Sequence, residues 1–134
     1  MPELNPAQIR ETRDSLLDTI DKLNELLLDK GDELKADEIK VINRAIRQLN
    51  NAITELTAKA IGGTARDLNK AVDGIKGATK NAKDAVETLQ DIKDVINIVT
   101  SLIDLGLAIA SGSPGGIIKA AQGTLTTVSQ TIAN

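Results

Sequence analysis

Residues 39–60 read IKVINRAIRQLNNAITELTAKA, and this stretch decides the fold. Ile39, Ile42, Ile46, Leu49, Ile53, Leu56 and Ala60 recur at alternating spacings of three and four without a miss. That spacing lines them up along one face of a helix, a coiled-coil seam sustained over three heptads. Lys40, Arg44 and Arg47 fall on the outer face, as a short basic stripe. Gly62-Gly63 ends the run and Asp32 is placed to cap its start, so a helix over about 33–61 is predicted.

The same periodicity extends in both directions. Upstream, Asn5-Pro6 is an N-cap followed by proline in the first helical position, and Ile9, Leu16, Ile20, Leu23 and Leu27 form a stripe interrupted by Arg13. Gly31 marks the end, giving a helix over about 6–30. Downstream, Thr64 is a cap with Asp67 three residues on, and the stripe runs Leu68, Val72, Ile75, Thr79, Ala82, Val86, Leu89. After Leu89 it shifts phase once and continues through Ile92, Ile96, Val99, Ile103, Gly106 and Ala110. Two successive three-residue steps are a stammer, which overwinds a coil. Because the stripe passes through Gly74 and Gly77 in register, one long helix over about 64–110 is expected, with a break near those glycines as the alternative. Ser113-Pro114 then starts a last helix over about 114–132, whose seam is Pro114, Ile118, Ala121, Leu125, Val128 and Ile132.

The expectation is therefore an all-α protein, an elongated bundle or coiled coil of four helices in one domain over 1–134. Residues 1–90 form an amphipathic bundle and 91–134 an apolar hairpin. Helices 2 and 4 laid end to end would cover the long third helix, leaving three helices side by side at one end and two at the other.

Composition narrows the function. The chain has 134 residues and no Phe, Trp, Tyr, Cys or His. Without His or Cys no serine or cysteine triad can be assembled, and no thiolate metal site exists. No GxGxxG or GxxxxGK[ST] occurs, so no enzyme activity, cofactor or small-molecule substrate is expected. The net charge of −3 hides a gradient. Residues 1–38 hold five Lys/Arg against eleven Asp/Glu, residues 39–94 ten against seven, and residues 95–134 only Asp104 and Lys119. Neither a basic footprint nor aromatic stacking platforms are present, which argues against nucleic acid. MPELNPAQIR contains no apolar core of a secretory signal, so the soluble form is expected in the cytoplasm or exported without a cleavable signal.

Two carboxylate groups stand out. Glu11, Asp14, Asp18, Asp21 and Glu25 make an acidic stripe, read as a solvated face, a docking face for a basic partner or a weak divalent-cation site. Asp32, Glu33, Asp37 and Glu38 cluster at a turn among lysines, where helix capping explains them better than acid–base chemistry.

The functional signal lies in residues 95–110, VINIVTSLIDLGLAIA, whose apolar side chains occupy most of the helix circumference. A helix apolar all round must be buried in something. Three sinks present themselves: a compact core, an interface with another chain, or a bilayer. The following helix carries small residues at four-residue spacing, Gly116, Ala120, Thr124 and Gly123, Thr127, Thr131, which let helix backbones approach closely. The expected interaction residues are Val95, Val99, Ile103, Leu107, Ile118 and Leu125. Folding about the turn at 111–113 brings Asp104 and Lys119 to nearly the same height, and they are expected to pair within or between chains. The expected partner is another copy or another protein, with a membrane as the further option.

A stalk bearing the small-residue hairpin IDLGLAIASGSPGGIIKAA (103–121) resembles the α-helical pore-forming toxins, in architecture and over residues 64–134. The resemblance implies a hairpin tucked away in the soluble form that enters a bilayer on oligomerisation.

Overall fold

The computed structural model describes residues 4–58 and 64–133, and within them every regular element is a helix. There are five: α1 (Pro6–Lys30), α2 (Ala36–Ala58), α3 (Ala65–Thr88), α4 (Ile92–Ser111) and α5 (Pro114–Ala133). The all-α expectation holds, and the count of four is corrected to five.

Local chemistry sets most of the boundaries. The Asn5 side chain accepts from the Gln8 N–H at 2.8 Å while the Gln8 side chain accepts from the Asn5 N–H at 3.1 Å, a reciprocal box that starts α1. Thr64 Oγ1 accepts from the Asp67 N–H at 3.0 Å, and Ser113 Oγ accepts from the Gly116 N–H at 3.3 Å ahead of Pro114. The start of α2 differs from the expected residue 33. Asp32 does not cap it; instead the Glu38 carboxylate accepts from the Lys35 N–H at 2.8 Å, and Leu34 turns inward and is buried. The expected end at Ala60 to Gly63 lies outside the described residues.

The long third helix does not exist. Leu89 leaves the helix in extended conformation (φ −74°, ψ 135°), and Asp91 restarts it by accepting from the Lys93 N–H at 2.9 Å. The phase shift after Leu89 therefore marks a break, relieved by stopping and recapping the helix rather than by overwinding it. Gly74 and Gly77 sit inside an unbroken α3. The turn into α5 is made by Gly112, whose φ of 76° is in the left-handed region that favours glycine.

Cross-helix contacts fix the topology. Gln8–Asn69 at 2.8 Å, Glu11–Lys76 at 3.3 Å and Lys22–Glu87 at 2.8 Å advance together along α1 and α3, so these two helices are parallel. A short connection returns α2 alongside α1. Because α4 packs along α2, it occupies the same height as α1 and α3, and the chain reverses at Leu89–Asp91. Thr124 on α5 donates to the Ser101 carbonyl on α4 at 3.3 Å, closing an antiparallel hairpin, and α5 also packs against α3. Helices α1, α3 and α5 thus run one way as one layer, and α2 and α4 run the other way beneath them. The expected division into a three-helix end and a two-helix end does not occur.

The core is aliphatic, with Leu16, Leu23, Ile42, Leu49, Leu68, Ile75, Ile98, Leu102 and Ile117 fully enclosed. Between them alanines close the seams: Ala45 and Ala52 on α2, and Ala71, Ala78, Ala82 and Ala85 on α3. A core without aromatic rings is filled here by bringing backbones together, as at Gly74, where an added Cβ would stand 3.1 Å from the Ala121 Cβ of α5. This rotates some seams relative to expectation. On α2 the buried line is Ile42, Ala45, Leu49, Ala52, Leu56, with Ile39, Ile46 and Ile53 only partly buried at its flank. On α5 it is Ile117, Ala121, Thr124 and Val128, and Ile132 is 58% exposed.

Candidate interaction surface on the α4–α5 hairpin

The side of α4 bearing Val95, Val99 and Ile103 is buried in the bundle, against α2, α3 and α5. Leu107 is 45% exposed, and Ile118 and Leu125 are partly buried. Of the six apolar residues expected to mediate interaction, three therefore lie in the core and three reach the surface to some degree.

Between the outward faces of α4 and α5 lies an open cleft of about 350 Å³. Ser101 and Asp104 form its α4 wall. The α5 wall is made by Gly116, Lys119, Ala120, Gly123, Thr124 and Thr127, so both four-residue rows of small side chains contribute to it. The hydroxyls in this wall are spent within the hairpin: Thr127 donates to the Gly123 carbonyl at 2.9 Å and Thr124 to Ser101 across it. Thr124 is itself buried, so the part of this wall that meets solvent is made mainly by Gly116, Ala120, Gly123 and Thr127, a surface of small side chains beside Lys119. Asp104 and Lys119 are both exposed at this cleft, on opposite walls, and no N···O contact within 4.0 Å joins them among the described residues.

A second groove, of about 460 Å³, lies between α1 and α3, with Ser15, Asp18 and Thr19 on one side and Lys76, Lys80 and Lys83 on the other. The acidic stripe of α1 thus runs beside a lysine stripe of α3. Lys22 contacts Glu87 at 2.8 Å and Glu25 at 3.0 Å. The hydrogen bonds that Lys22 donates to these two carboxylates, the one to Glu87 first, hold its ammonium above its usual range, and Lys22 holds Glu87 below the usual carboxylate range. Buried Thr12, Thr19 and Thr79 in this seam donate to their own helix carbonyls at Gln8, Ser15 and Ile75. The seam is polar and charged where the α4 seams are apolar. Sequence reading missed it, although Lys76, Lys80 and Lys83 show the same three-four spacing as the acids.

Among the described residues no group of three or more Asp or Glu side chains is arranged to hold a metal ion. In the turn cluster, Glu38 serves the start of α2 and Glu33 stands 3.9 Å from Lys30. Comparison of the chain with protein-family models, curated proteins and solved structures finds no match.

Proposed function

We propose that this chain is a non-enzymatic helical-bundle protein that acts by helix–helix association, with the α4–α5 hairpin as its contact element. The observation that carries the reading is the cleft on that hairpin. Its α5 wall carries the small residues Gly116, Ala120, Gly123 and Thr127, which admit a close helix backbone, and it displays the only two charges of residues 95–134. Along the α1–α3 groove, by contrast, the surface presents mixed charge, and Glu11 of α1 is already paired with Lys76 of α3 at 3.3 Å.

A second reading, insertion of the hairpin into a bilayer, draws on one specific feature. Among the described residues α4 is the one helix long and apolar enough to cross a membrane, by length and composition. The core helix of a soluble protein has the same composition, and α4 has much of its surface enclosed here. Insertion would require it to leave α2.

Light scattering of the purified protein with and without liposomes separates the readings. Association independent of lipid is the expected result. Association only when lipid is added favours insertion, and a monomer indifferent to lipid favours a small adaptor that binds a partner helix.

A further inference from the structure

We propose that the occupant of the α4–α5 cleft is a second copy of this chain, seated across a two-fold axis that passes by Ala120. The inference rests on the reading of the hairpin as the contact element and commits it to one partner.

The Thr124–Ser101 hydrogen bond sets the register of the two antiparallel helices. It places Asp104 level with Ala121, and Lys119 about 3 Å along the axis from that level. A two-fold axis perpendicular to α5 at Ala120 lays α5 antiparallel on α5 of the second copy, and each patch then meets itself. Ala120 faces Ala120, and Gly116 comes within one residue of the level of Gly123, so small side chains meet on either side of the axis and the backbones can come close. The same operation brings Lys119 of the second copy level with Ala121, and hence with Asp104. It does so twice, once on each side of the axis.

Charge selects this occupant over others. The cleft carries one acid and one base on opposite walls, with no ion pair for either among the described residues, and no other charged side chain lines it. Its charges sum to zero, so neither an acidic nor a basic partner is matched by it, whereas a copy of itself matches it group for group. The two ion pairs are solvent-accessible and set the register; the small-residue crossing supplies the contact.

The chain contains no cysteine, so one introduced thiol reports on one position. In the full chain, Ala120→Cys lies on the axis and Gln122→Cys on an exposed position outside the cleft. Under mild oxidation the first variant is expected to give at least roughly tenfold more covalent dimer than the second, because only thiols whose Cα atoms come within about 7 Å can bridge. In sedimentation, Asp104→Lys and Lys119→Asp should each reduce the dimer fraction, and the double exchange should restore it, with circular dichroism unchanged throughout. Equal cross-linking of the two cysteine variants, or a double exchange no better than the single ones, overturns the second copy. If the wild type sediments as a monomer and Ala120→Trp abolishes its binding to liposomes, the hairpin remains the contact element with a different occupant. If the wild type is a monomer and Ala120→Trp changes nothing, the second copy and the contact element fall together.

Discussion

Gly106 of α4 lies directly against the backbone of Gln48 of α2, where a β-carbon would stand 3.0 Å from the Gln48 carbonyl carbon and oxygen. Fully buried Ala45 and Ala52 flank the contact on α2. Backbone cannot move aside as a flexible side chain can, so Gly106→Ala forces the helices apart. Overpacking of this kind costs roughly 1–3 kcal/mol, against about 1 kcal/mol gained in helix propensity. The expected outcome is a net loss of about 1 kcal/mol, and more for Gly106→Val. Gly77, inside α3, has nothing within 4 Å of its missing Cβ, so Gly77→Ala should gain roughly 0.5–1 kcal/mol. Urea unfolding midpoints decide it; a Gly106→Ala protein as stable as Gly77→Ala would remove the close crossing from the account.

The α2 seam makes a graded prediction. Leu49 is fully enclosed, so Leu49→Ala should destabilise by roughly 2–5 kcal/mol. Ile46, partly buried at the flank, should lose clearly less on truncation to alanine, and exposed Arg44 within about 0.5 kcal/mol of nothing. Thermal melts in the order Arg44→Ala, Ile46→Ala, Leu49→Ala are expected. Equal losses at Ile46 and Leu49 would mean that the isoleucine line, not the Leu49–alanine line, faces the core.

That ordering shows what the sequence could and could not reveal. Starts at Pro6, Ala65 and Pro114 were legible because Asn5, Thr64 and Ser113 act on N–H groups within three residues. The break at Leu89–Asp91 left a trace, the phase shift, but a stammer and a stop have the same spacing; packing of α4 on α2 decides between them. The α2 stripe is legible, and Ile42, Leu49 and Leu56 in it are buried, but Ile39, Ile46 and Ile53 lie at the flank of the core. Where two backbones nearly touch, small Ala45 and Ala52 take the centre and bulky residues the edges. At the candidate site, the shared height of Asp104 and Lys119 follows from a turn two residues long. The α1–α3 charge pairing was not readable in the same way, since parallel neighbours separated by all of α2 leave no local register.

That charged seam gives a pH and salt prediction. Glu87 is held below the usual carboxylate range by Lys22, so its contribution is present above the unfolded value of about 4.3 and is lost as pH falls through the lower folded value. Lys22 is held above its usual range, so its contribution is present below about 10.4 and is lost as pH rises through the folded value. Both groups reach solvent, so the effect is small and screened by salt. Comparing melting temperature against pH, the wild type should lose slightly more than Glu87→Gln on acidification from neutral pH. The difference should shrink in molar salt. Parallel curves at low salt would show that the pair contributes nothing.

The reversal at Leu89–Asp91 is open to a direct distance measurement. Lys70, near the start of α3, and Ser111, at the end of α4, are both exposed and accept spin labels without touching the core. Had residues 64–110 formed one helix, the two would lie roughly 60 Å apart at 1.5 Å rise per residue. Because α4 turns back alongside α2, both instead sit toward the same end of the bundle, and neighbouring helices are only about 10 Å apart. With Lys70→Cys and Ser111→Cys introduced into the cysteine-free chain, the label separation should fall under roughly 30 Å once side-chain reach is added to the helix diameter of about 10–12 Å. A single long distance would restore the extended helix and, with it, an α4 face uncovered by α2. Two populations in one sample would show that the bundle opens at Leu89–Asp91, the step that hairpin insertion requires. The bundle described here predicts one short distance in solution, unchanged by liposomes.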